Sequence, residues 1–162
     1  MGVYCISPSN QGGELHQPPP QLVEACKPLH PLEFGLLYLL THKGIGDRGT
    51  VSVGPKDATQ YDKQIRAIKL LEAGAAKKLL PPIVKRLRAQ ARAELGKEYC
   101  DGLAARVGPY TQGADRKDDA EDGSVAIPGN MNLSLLLTTH GLYRAFGMKG
   151  YMVRMASNLA CE

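Results

Sequence analysis

Lys85, Arg88 and Arg92 recur at steps of three and four, the spacing that places side chains on one face of a helix. Three cations in a row can neutralise successive phosphates of RNA or the head groups of anionic lipid, each contact adding salt dependence to binding. Trp is absent and Phe and Tyr number 2 and 7, so platforms for base stacking are scarce beside this face. Met148, Met152 and Met155 recur at steps of four and three near the end of the chain. A terminal helical turn would present their thioethers on one side, where methionine fills core gaps and adaptable interfaces alike. These six residues are the candidate partner-binding positions. Other protein subunits are the expected partners, with RNA or anionic lipid as further partners for the basic face.

Other residue types with chemical potential lack the company their chemistry requires. Gly44, Gly46 and Gly49 form a literal G-x-G-x-x-G, in which glycines let backbone amides approach a pyrophosphate at a helix N-terminus. Here Thr50-Val51-Ser52-Val53 reads as extended and Pro55 follows, so a glycine-rich turn is expected and no helix end to receive a phosphate. Val51 extends the pattern toward the phosphate loop of protein kinases, but neither H-R-D nor D-F-G is present. Cys26 and His30 have a spacing that a helix could turn to one side, yet Pro28 lies between them and no second ligand pair is near. His16, His42 and His140 stand apart from any nucleophile or metal signature. The acidic stretch from Asp115 to Asp122 interleaves Arg116 and Lys117 and lacks calcium-loop spacing, which makes it a solvated loop. No catalytic, cofactor or metal residue is assigned, and the expectation is a protein that is not an enzyme.

The elements that must carry the basic and methionine faces are mainly helical. Asp57 and Gln60 have capping-box spacing, and Tyr61, Ile65, Ile68, Leu71, Ala75 and Leu79 recur at steps of three and four. This predicts a helix over about 57–80 with those residues inward, ended by Pro81-Pro82. A second helix over about 82–107 follows at once, because proline is tolerated in a first turn, with Val84, Leu87, Ala91 and Leu95 inward. The two form a helical hairpin. Asn130 can cap a third helix over about 130–146, with Leu133, Leu136, Leu137 and Tyr143 facing in. Residues 32–42 are apolar nearly all round and suit either a buried helix or a buried strand. A small β-hairpin is expected near 36–53.

Four segments result. Residues 1–31 hold Pro18-Pro19-Pro20 and more than half of the 11 prolines, and read as an extended arm. Residues 32–107 carry the apolar segment, the glycine-rich turn and the helical pair; 108–129 form the acidic loop; 130–162 form the last helix and the Met-rich tail. The formal net charge of +4 is concentrated on the helical pair.

With 162 residues the chain suits a domain of ordinary size. No apolar run reaches the roughly 18–20 residues of a membrane-spanning helix. Four dispersed cysteines without a C-x-x-C pair suit a reducing, intracellular compartment. No secretory or organellar targeting signal is visible at the start. The arm and the acidic loop bury too little apolar surface to offset an ordering cost of about 1–2 kcal/mol per residue, so neighbours are expected to hold them. The expected role is a non-catalytic accessory subunit of a large assembly. Motif-poor chains with long arms suit an organellar, respiratory-type complex of mitochondria, and an RNA-binding subunit of a ribosome-like particle is the alternative.

Overall fold

The computed structural model describes residues 2–9, 13–43, 45–55, 57–97, 99–100 and 133–148. The acidic loop of 108–129, the second helix beyond residue 100, Met152 and Met155 lie outside the described residues. The described residues are mostly helical: α1 (Pro20–Cys26), α2 (Pro31–Thr41), α3 (Tyr61–Glu72), α4 (Ala76–Leu95) and α5 (Leu133–Phe146). Two short strands, β1 (Val3–Cys5) and β2 (Gly49–Val51), pair in parallel with Tyr4 opposite Thr50. The hairpin expected near 36–53 is therefore replaced. Residues 31–41 take the helical alternative, and β2 pairs with the start of the chain.

The residues read as an extended arm contain a helix. Pro19 and Pro20 fall at the entry of α1, where a missing N–H is tolerated, and Leu22, Ala25 and Cys26 turn into the core. Leu29 follows them, and the buried cluster continues through Leu36 and Leu37 of α2, Ala67 of α3, Leu80 and Ile83 of α4, and Ala145 and Phe146 of α5. A fully buried leucine contributes about 1.5–3 kcal/mol, so Leu22 and Leu29 give this segment its own reason to stay packed.

The helical pair is displaced from its expected boundary. Gly74 adopts φ +67, its N–H bonds to the Leu71 carbonyl at 2.9 Å, and the Ala75 N–H bonds to the Leu70 carbonyl at 3.0 Å. These two bonds are a Schellman motif that closes α3 eight residues before the expected end at 80. Pro81 and Pro82 then lie inside α4 instead of between helices. Both face solvent, while Ala76, Leu80 and Ile83 form a continuous buried face on either side of them. Burial of Leu80 and Ile83 offsets the backbone bonds lost at the prolines, each of which disfavours a helix interior by about 3 kcal/mol. α4 ends at Leu95, where Gly96 takes φ +81, short of the expected 107. Leu87, Ala91 and Leu95 pack on the core as the periodicity predicts.

α4 joins the other layers. The Arg86 Nε–H donates to the Ala25 carbonyl at 3.0 Å and its terminal amino group donates to the Lys27 carbonyl, tying α4 to the end of α1. The Gln90 side-chain amide donates to the Ala145 carbonyl at 2.7 Å, tying α4 to α5. Gly141 brings α5 close to Leu95 and Tyr99: a Cβ there would lie 3.2 Å from the Tyr99 hydroxyl oxygen. No helix among the described residues is long and apolar enough to cross a membrane.

Candidate functional site

The residues singled out for chemistry are largely absorbed by local structure. Gly46 sits in the turn after α2, its N–H bonded to the His42 carbonyl, where a Cβ would run into the Leu40 carbonyl. β2 follows this turn. Gly46 and Gly49 thus serve a tight chain reversal into a strand. His30 caps α2: its Nδ1 accepts from the Leu32 N–H at 3.2 Å, and the Glu33 carboxylate accepts from the His30 N–H at 2.9 Å. Burial, with Lys63 nearby, holds the His30 imidazole below its ordinary pKa, against the opposing pull of Glu33. Cys26 belongs to the core, and burial pushes its thiol up to about 11 despite the Arg86 charge beside it. Neither residue of the Cys26/His30 pair is disposed toward a metal, and no ligand cluster occurs among the described residues.

Asp57 performs the capping role that its spacing predicts. Its carboxylate accepts from the Thr59 and Gln60 N–H groups at 2.9 and 3.2 Å, opening a 3-10 turn that leads into α3. The Thr59 hydroxyl also donates to it, and these bonds hold the carboxyl below its usual range.

Leu71 and Leu79 of the expected stripe pack against the core, but its first half does not face in. Tyr61, Ile65 and Ile68 are 45%, 49% and 39% exposed, whereas Gln64 and Ala67 are buried. The buried face lies about 100° round the helix from the expected one. Two local features set this rotation. Ala67 lets α3 approach α2 closely, since interaxial distance follows side-chain size at the contact. Arg66 reaches Glu33 on α2, its Nη1 3.4 Å from Oε1, and Glu33 is only 2% exposed. The consequence is energetically inverted for a single chain: Gln64 is buried with neither amide atom hydrogen-bonded among the described residues, while three large apolar side chains are exposed.

The three exposed residues step by four and then three, which is the d-a-d pattern of a coiled-coil seam. Asp62 and Lys69 lie exposed beside them as a mixed-charge rim, and Glu72, exposed at the next a position, ends the apolar seam. Periodicity locates the seam but assigns it to the wrong side of the fold.

Lys85, Arg88 and Arg92 are exposed on α4, as their spacing predicts. Met148 is 4% exposed and fills the core after Gly147, so its thioether serves the interior. Tyr143, expected to face in, is exposed; Ala145 and Phe146 take the inward positions at the end of α5. An open cleft of about 540 Å³ lies between the end of α1 and α4, lined by Glu24, Ala25, Lys27, Pro28, Arg86 and Gln90. Arg86 is already committed to the α1 end there. Comparison with known proteins finds no matching family, curated protein or solved structure.

Proposed function

We propose that this protein is a non-catalytic accessory subunit of a larger assembly, joined to a neighbouring subunit through the apolar seam of α3. The observation that supports this reading is the outward placement of Tyr61, Ile65 and Ile68 while Gln64 is buried. Contiguous apolar surface rimmed by polar residues is characteristic of interaction sites. Its d-a-d spacing suits a helix on the partner: Ile65 enters a hole between four partner side chains, and Tyr61 and Ile68 flank it one turn away on either side. Asp62 and Lys69 give orientation through rim charge, which tunes pairing more than affinity.

The test is the double substitution Ile65→Glu/Ile68→Glu in the full chain, tagged and expressed in cells that naturally make it. Both positions are exposed, so helicity by circular dichroism is expected to stay at the wild-type level. Wild type is expected to elute from size-exclusion chromatography well above the mass of one chain, and the variant at the mass of one chain. Co-elution of a properly folded variant with the same large species would refute the assignment.

A further inference from the structure

Between Glu72 and Glu94 the sequence holds Lys77, Lys78, Lys85, Arg86, Arg88 and Arg92 and no acidic residue. Folding separates these cations into two sets. Arg86 turns to the carbonyls at the end of α1. Lys78, Lys85, Arg88 and Arg92 are exposed on the outer side of α4, opposite the buried Leu80 and Ile83. Among the described residues no carboxylate pairs with Lys78, Lys85 or Arg88. Lys78, Lys85 and Arg92 recur every seven residues and so form one ridge, about 21 Å long at about 1.5 Å per residue.

We infer that this ridge is a docking track for a nucleic-acid backbone, bound through phosphates without reading sequence. Its cations repeat about every 10 Å along the helix, so they meet successive parts of a single extended polyanion. The Arg88 guanidinium offers paired donors that fit phosphate oxygens. Two other occupants fit less well. A protein interface centres on a buried apolar or aromatic anchor, and the exposed neighbours on this ridge are Pro81, Pro82 and Ala89. A helix lying in a membrane surface sinks its apolar face into lipid, whereas the apolar face of α4 is occupied by the core of the protein itself.

The experiment measures binding of the full chain to a fluorescein-labelled oligouridine of about 20 nucleotides by anisotropy across a salt series. Three to four phosphate contacts give an expected slope of log K against log salt of about −2 to −3. Lys85→Glu/Arg88→Glu is expected to weaken binding at least about tenfold at low salt and to flatten the slope by about 1.4. Lys43→Glu/Arg48→Glu removes the same net charge from the exposed turn after α2 and is expected to stay within about twofold of wild type. If the charge reversal lowers helicity, Lys85→Gln/Arg88→Gln takes its place with the same expected direction. Absence of binding at low salt, equal loss in ridge and turn variants, or stronger binding to phosphatidylserine vesicles at equal phosphate concentration would overturn the inference.

Discussion

Gln64 and His30 show how single side chains set conditions for the fold. A buried amide without partners carries its full desolvation cost, about 1–3 kcal/mol, and a thioether of similar length removes it. Gln64→Met is accordingly expected to raise the free energy of unfolding by about 1 kcal/mol, read from urea denaturation; a loss of stability would show that the amide has a partner in the native protein. His30 acts in the opposite sense with pH. Only an unprotonated Nδ1 can accept the Leu32 N–H, and the folded-state pKa lies below the ordinary value of 6.5. The unfolded chain therefore binds the proton more readily. Stability from this cap is fully present above about pH 6.5 and is lost as pH falls through the folded value. The melting temperature is expected to drop between about pH 7 and pH 5, and to drop less in His30→Asn, which caps without titrating in that range. Equal pH slopes in the two proteins would remove His30 from the account. The Asp57 cap was legible because Asp at this spacing is a strong start signal. The His30 cap was not, because histidine is an uncommon capping residue.

At the scale of elements, the sequence pattern conveys where helices exist better than where they turn. Leu87, Ala91 and Leu95 point inward as their periodicity predicts, whereas Val84, expected with them, is not part of the core cluster. The boundary between α3 and α4 was misread because two adjacent prolines are a stronger visible signal than one glycine. The left-handed backbone at Gly74 decides the turn, and continued burial beyond Pro82 carries α4 through. Among the described residues nothing lies within 4 Å of a Cβ built on Gly74, so Gly74→Ala tests the backbone conformation. It is expected to destabilise the protein by about 1 kcal/mol. Pro82→Ala restores a donor to the helix interior and is expected to stabilise by at least about 1 kcal/mol. If chemical denaturation gives the reverse order, with Gly74→Ala neutral and Pro82→Ala destabilising, the helix break belongs at the prolines after all. Facing was less legible than existence for α3: Gln64 and Ala67 are buried where three larger apolar residues are not, and helical spacing alone does not tell which face a neighbouring helix covers.

The molecule as a whole keeps its two outward features on neighbouring helices: an apolar seam on α3 and a basic ridge on α4. The segment read as an arm contributes Leu22, Cys26 and Leu29 to the core, so part of its packing lies within the chain itself. The case for an assembly therefore moves from the ends of the chain to the surface of α3. Periodicity made the residues of that surface visible, and only tertiary packing revealed which way they face. The most direct measurement replaces Ile65 with cysteine and follows maleimide labelling of that position by peptide mass spectrometry, in the isolated chain and in extract from cells that naturally make it. Labelling in the extract is expected to be at least about tenfold slower, with Thr50→Cys, exposed on β2, labelling equally in both. Equal rates at position 65 in the two settings would contradict a covered seam and the subunit role built on it.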